Sequence, residues 1–181
     1  IPGNIKVNKI QLDKNNIGDV LYYNEGPVDL GSMLPQYGLS KHIKNLGCCV
    51  TISGDGADEL FGGYKRINDY DSQYSDIFEE LVYYHLPRLD KLMMANTVEL
   101  RCPYLSRRVI EGALALSYSE RTNKNCLKKM FGYLLPKEIV DRPKEPLKIK
   151  ELREEPLNWR YKLIDIFRKE VINEYTRRGN H

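Results

Sequence analysis

The stretch that decides the fold runs Cys48-Cys49-Val50-Thr51-Ile52-Ser53-Gly54-Asp55-Gly56-Ala57-Asp58-Glu59-Leu60-Phe61-Gly62-Gly63-Tyr64. Cys48 to Ile52 carries no charge and ends in β-branched residues, a run that predicts a strand buried on both faces of a parallel sheet. It stops at Ser53-Gly54-Asp55-Gly56, a tight loop, and Ala57 onward can start a helix. A strand, a loop and a helix in that order place polar groups at the carboxyl edge of a sheet. The glycines beside Asp55 let a ligand approach the backbone, and the first N–H groups of the helix can face an anion. Asp55, Asp58 and Glu59 offer hard oxygen ligands, so the stretch suits a nucleotide phosphate bridged by Mg²⁺. The same spacing also suits a plain turn followed by acidic residues that complement the helix macrodipole. On spacing alone both readings stand.

Working outward, Ile5–Leu12 predicts a short strand, although its alternation breaks at Lys9. Asp13 precedes a short helix through Val20, Leu21 and Tyr22 that closes at Glu25–Pro27. Ser32–Leu46 predicts a helix with Gly47 at its C-terminal end. On the other side the pattern is helical: Asp71–Leu86, Arg88–Leu100, Ser106–Leu116, Asn123–Leu134 and Leu157–Thr176. Turns at Pro87, Cys102-Pro103, Pro136, Arg142-Pro143 and Pro156 separate these segments. The expected fold class is therefore α/β and predominantly helical, with a small parallel sheet. Residues 1–66 form an α/β part that holds the glycine-acid loop, and residues 67–181 form a helical part of the same single domain.

The chain has 181 residues, the size of about one domain, and is 41% hydrophobic and 29% charged, which suits a globular core. Lysine and arginine total 28 against 25 acidic residues, so a net charge of +3 gives no argument for nucleic acid or an anionic membrane. No apolar stretch approaches the ~20 residues of a bilayer span. Cys48, Cys49, Cys102 and Cys126 form no zinc-type spacing and no disulfide framework, which points to free thiols in the cytoplasm. His42, His85 and His181 form no metal constellation.

The loop resembles the signature of asparagine synthases, relatives of the β-lactam synthetases and N-type ATP pyrophosphatases. Further blocks follow in the same order. Met33-Leu34-Pro35-Gln36-Tyr37-Gly38-Leu39-Ser40-Lys41 resembles the helix before the signature strand. Arg88-Leu89-Asp90-Lys91-Leu92-Met93-Met94-Ala95-Asn96-Thr97-Val98-Glu99-Leu100-Arg101-Cys102-Pro103-Tyr104-Leu105 resembles the family's D-R-M-S-M-A…V-E-A-R-V-P-F-L-D block. Lys124 with Leu127 resembles K-x-x-L-R, and Leu135-Pro136…Arg142-Pro143-Lys144-Glu145 resembles L-P…R-P-K-E.

The resemblance implies a partial adenine-nucleotide α-hydrolase-like domain. It also implies an ATP-dependent amide-forming reaction: a carboxylate, aspartate by default, becomes an acyl-adenylate with release of pyrophosphate, and ammonia or an amine then displaces AMP. ATP and Mg²⁺ are the implied cofactors. Ser53 and Gly54 line the nucleotide site, Asp58 holds Mg²⁺, and Asp55 sits beside the reacting centre. Glu99 matches a pocket-facing glutamate, with a structural ion pair to nearby basic residues as its alternative. Lys124 and Lys144 match lysines that meet phosphate oxygens. Lys144 lies between Pro143 and Pro146 on a stiff loop, which favours a positioned charge.

Three departures shape the expectation. The family's S-G-G-x-D-S pyrophosphate loop and its glutaminase domain have no counterpart in this chain, Ser106 stands where an aspartate is usual, and Lys128 replaces an arginine. The start at Ile1 fits an incomplete synthetase domain whose first strands lie on preceding or separate polypeptide. A non-catalytic binding or scaffolding relative is the alternative. A nucleic-acid-modifying relative is a third reading, without an aromatic–basic ladder to support it.

Overall fold

The computed structural model describes residues 8–26, 29–64, 76–143 and 164–169. The chain divides into two compact units. The first comprises Ile1–Asn8, Ile52–Leu86 and Leu100–Pro146, and the second Lys9–Thr51, Pro87–Glu99 and Leu147–His181.

The second unit is built on helix α1 (Ile17–Asn24) and helix α2 (Leu30–Asn45). Glu25 ends α1 in the left-handed region, its N–H donating to Leu21 O at 3.1 Å. Leu30, Met33, Leu34 and Tyr37 recur on α2 at helical spacing and form one buried stripe. That stripe packs with Val20, Leu21 and Leu92, and Ile166 and Phe167 lie against the cluster. Ser40 is fully buried within hydrogen-bond reach of Tyr37 O and Leu92 O, both at 2.9 Å, and its hydroxyl accepts from the Asn96 amide at 2.8 Å. A buried hydroxyl needs those partners. Arg88 is also buried and pairs with Asp29 at 2.8 Å.

Pro87, expected to mark a turn, does not interrupt the helix. Residues 76–80 are α-helical, Leu81–His85 form a π turn, and α4 (Leu86–Met94), which follows the short α3 (Ala57–Leu60) in chain order, continues through the proline. The wide turn shifts the ladder by one residue, Leu86 N–H donating to Leu81 O, just before the residue that has no N–H to offer. Val82 and Tyr83 are exposed, so water can serve a carbonyl that Pro87 leaves without a donor.

The expected helix over Arg88–Leu100 is also too long. It ends at Met94; Thr97 takes φ 56°, held by Lys44 Nζ on its hydroxyl at 2.6 Å, and β2 (Glu99–Arg101) follows. Val98, Leu100 and Cys102 alternate with Glu99 and Arg101, a period-two signal masked by the helical run before it. β1 (Val50–Ile52) pairs with β2 in a two-stranded sheet. Glu99 N–H donates to Cys49 O at 2.8 Å and Ser53 N–H to Arg101 O at 2.9 Å, so the strands are parallel. The fold is thus helix-rich α/β with a small parallel sheet, as expected.

Two strand expectations need correction. β1 is not buried on both faces: Val50 is 45% and Ile52 72% exposed. β-branching sets the strand, but burial depends on covering layers, and among the described residues β2 is its only sheet partner. Residues 8–12, the described part of Ile5–Leu12, form no strand, in keeping with the alternation that breaks at Lys9.

In the first unit α3 (Ala57–Leu60) buries Leu60, and Phe61 follows it. These two cluster with Ala113 of α5 (Arg107–Leu114), and Tyr104, Val109, Ile110, Cys126 and Leu127 pack against them. The Phe61 and Tyr104 rings meet edge to face at 6.0 Å. Ser117 and Glu120 form a capping box on α6 (Tyr118–Arg121), and α7 (Asn125–Phe131) and α8 (Lys137–Val140) follow. Of the expected Leu157–Thr176 helix, residues 164–169 are described and helical; the remainder lies outside the described residues.

Candidate functional site

Ser53 is the first residue past β1, and its N–H bond to Arg101 extends the ladder to the carboxyl edge of the sheet. Its hydroxyl donates to Asp55 Oδ2, and Asp55 N–H donates back to Ser53 Oγ at 3.1 Å. That closed loop fixes the carboxylate over the strand end. Cys102, the first residue past β2, brings its Sγ to 3.7 Å from Ser53 Oγ. Burial pushes the Cys102 thiol above its ordinary range, and the Asp55 charge adds to it.

The two glycines around Asp55 differ in purpose. Gly56 has φ 90°, and a Cβ there would lie 2.8 Å from Leu105 Cγ, so the fold itself requires glycine. Gly54 is exposed, and a Cβ there would meet nothing within 4 Å. No contact among the described residues demands a glycine at that position, which leaves open space between Ser53 and Asp55.

Asp58, in the single turn of α3, pairs with Lys124 Nζ at 2.7 Å, the two side chains being 16% and 31% exposed. The backbone holds Lys124 there. Asn123 and Lys124 both adopt left-handed conformations, φ 54° and 59°, and their N–H groups donate to Gly62 O and Phe61 O at 2.9 Å. Such backbone persists only where the surroundings over-determine it. Gly62 and Gly63 allow the close approach: a Cβ at Gly62 would lie 3.0 Å from Thr122 Cα, and one at Gly63 would overlap the Asp58 carboxylate. Glu59 departs from the expected ligand role. It is buried, and its carboxylate accepts from the Tyr64 hydroxyl at 2.6 Å, as befits a charge that needs a partner inside a core.

Ser53, Gly54, Asp55, Asp58 and Lys124 all lie within the first unit, where Ser53 bonds to Asp55 and Asp58 pairs with Lys124. Glu99 belongs to the second unit, exposed at the start of β2. Lys144 lies outside the described residues. The Cys102 contact and the Gly63 cradle were not foreseen; only their positions directly after a strand and within the second glycine pair signalled them. No group of three or more His, Cys, Asp or Glu side chains among the described residues is arranged to hold a metal ion. No helix among them is long and apolar enough to cross a membrane.

Fold and site together define a helix-rich α/β protein with a serine and a carboxylate at the carboxyl edge of a parallel strand pair and a carboxylate–lysine pair on the helix turn that follows. The chain belongs to the asparagine synthase family, whose sequence model matches residues 7–82 and 70–171. It is 28% identical over 151 residues to asparagine synthetase B (glutamine-hydrolyzing) of Escherichia coli, a match that covers 75% of this chain and 27% of that protein. A probable asparagine synthetase (glutamine-hydrolyzing) of Acanthamoeba polyphaga mimivirus is 26% identical over 180 residues, 91% of this chain and 32% of that protein. The asparagine synthetase (glutamine-hydrolyzing) of Mesocricetus auratus is 35% identical over 123 residues, 60% and 22% of the two chains. The matched regions therefore span between about a fifth and a third of these relatives' lengths.

Proposed function

We propose that the carboxyl edge of β1 is the nucleotide part of an ATP-dependent amide-forming synthetase site, with aspartate as the activated carboxylate. The observation that carries this reading is the Asp58–Lys124 pair at 2.7 Å, held by left-handed backbone at Asn123 and Lys124, on the helix turn that follows the exposed Gly54 in the same unit. Family membership supplies the reaction class.

A carboxylate is a poor electrophile until one of its oxygens becomes part of a good leaving group. In the proposed reaction the substrate carboxylate oxygen bonds to the α-phosphorus, and the bond to pyrophosphate breaks. Ammonia or an amine then attacks the acyl carbon, and AMP leaves with the electron pair. Negative charge on the triphosphate must be offset while this happens. Lys124 offers its ammonium to phosphate oxygens. Gly54 admits the nucleotide against the backbone, and Ser53 and Asp55 line the edge beside the reacting carbon.

The donor set fits Mg²⁺ only in part from this chain. Asp58 would hold it, with triphosphate oxygens and water completing the shell, as is common for this ion. Bound there, Mg²⁺ would neutralise triphosphate charge. Until then Asp58 and Lys124 compensate each other, which avoids two isolated charges in a half-buried place.

The test joins binding and exchange. Calorimetric titration of ATP in magnesium buffer into the chain should show about tenfold weaker binding for Gly54→Ala, with unfolding unchanged, because the added methyl fills ligand space and no protein contact. Carboxylate-dependent ATP–pyrophosphate exchange should be measured with the chain joined to a segment that bears S-G-G-x-D-S. Lys124→Ala should reduce that exchange about a hundredfold. Exchange at the unaltered rate in Lys124→Ala would dismiss the lysine. No nucleotide binding under any complementation, with a stable protein complex instead, would favour a scaffolding relative.

A further inference from the structure

Cys102 has no part in the function proposed above, yet its sulfur touches the site. It is the first residue past β2 as Ser53 is the first past β1, and the parallel pairing sets the two side by side at the sheet edge. Sγ lies 3.7 Å from Ser53 Oγ, within reach of a sulfur hydrogen bond. The direction of that bond follows from counting protons. A serine hydroxyl has one proton and two acceptor positions, and an ionised carboxylate has none to give. The Ser53 proton is committed to Asp55 Oδ2, while Asp55 N–H occupies one acceptor position on Ser53 Oγ. The second acceptor position is the one that remains, and the thiol is the group that fills it. Cys102 is a free cysteine of intermediate burial, so it has a proton to donate. Burial, which pushes the thiol up, keeps that proton in place. The block that this stretch resembles has a valine here, and valine cannot donate.

We infer that Cys102 is a positioning residue: its S–H holds the Ser53 hydroxyl, and through it one oxygen of Asp55, in a single orientation at the carboxyl edge of the sheet. The hydroxyl is then fully used, one bond given and two received. It cannot rotate away to offer its proton to a ligand. This deepens the proposed synthetase reading, on which its consequence for the reaction rests.

Two measurements separate the contact from that reading. In a variant that keeps Cys102 as the sole thiol (Cys48→Ser, Cys49→Ser, Cys126→Ala), the S–H stretching band should move to higher frequency when Ser53→Ala removes the acceptor. A band at the same frequency in both proteins would show that the thiol donates nothing, and would overturn the inference. In the exchange-competent protein, Cys102→Val should lower kcat of carboxylate-dependent exchange about three- to tenfold, the range of one neutral hydrogen bond, with the ATP dissociation constant unchanged. Cys102→Ser, which keeps a donor, should restore it. Equal kcat in the valine and serine variants would also overturn the positioning role. Absence of exchange in the unaltered protein would count against the synthetase reading, while the S–H band would still decide whether Cys102 holds Ser53.

Discussion

One methyl group placed at Gly63 tests how the acidic loop is held. A Cβ there would overlap Asp58 Oδ1, and would lie 2.7 Å from Asp58 Cγ and 2.9 Å from Lys124 Cε. Gly63 is not in the left-handed region, so alanine carries no backbone penalty and the whole effect is steric. Either Asp58 swings away and loses its 2.7 Å pair with Lys124, or the loop shifts and loses the Gly63 N–H bond to Asp58 O at 2.9 Å. Loss of the half-buried Asp58–Lys124 ion pair costs about 1–3 kcal/mol and overpacking about 1–3, so Gly63→Ala should destabilise by about 2–4 kcal/mol. At roughly 2–4 °C per kcal/mol for a chain of this size, Tm should fall by about 4–16 °C. The assay is urea unfolding followed by circular dichroism, in the unaltered chain and in Asp58→Ala. Without the carboxylate the methyl has space, and its cost should shrink to under about 1 kcal/mol. An equal cost in both backgrounds would refute the argument that the second glycine pair exists to admit the Asp58–Lys124 pair.

Other outcomes follow from the same geometry. Gly56→Ala meets both φ 90° and Leu105, and should cost about 2–4 kcal/mol, whereas Gly112→Ala, in α5 with nothing within 4 Å, should stabilise by up to about 1 kcal/mol; matching shifts in thermal melts would contradict this. Leu92→Ala empties a site of 0% exposure in the second unit's core and should cost about 2–5 kcal/mol in denaturant melts, with a loss below 1 counting against that cluster as a core. Tyr37 donates to Asp19 at 3.1 Å; burial, then the Asp19 charge and that bond, push its hydroxyl up to about 12. A raised acid stays neutral in the folded chain while the unfolded chain ionises near its ordinary value, about 10. Stability from Tyr37 is therefore intact below that value and is lost as pH climbs through about 12. Tyr37→Phe should flatten the alkaline decline in unfolding free energy, and identical declines in both proteins would dismiss the account.

Much was legible in the order of residues. The spacing of Leu34, Leu39, Ile43 and Leu46 announces α2, although of these only Leu34 joins its buried stripe; Val50–Ile52 announces a strand, and Ser53–Gly56 announces the loop that ends it, because those signals lie within a few neighbouring residues. β2 was hidden because its alternation abuts a helical run, and Pro87 misled because the π turn that accommodates it has no local signature. The candidate residues Ser53, Gly54, Asp55, Asp58 and Lys124 were named from motifs, but motifs do not say which charges meet. Tertiary structure decided that Asp58 faces Lys124, that Glu59 turns inward to Tyr64, and that Cys102 reaches Ser53. Periodicity and turn chemistry are set by steric rules acting along neighbouring residues. Pairing and burial are set by which distant segments share one small volume, and only the folded path of the chain determines that.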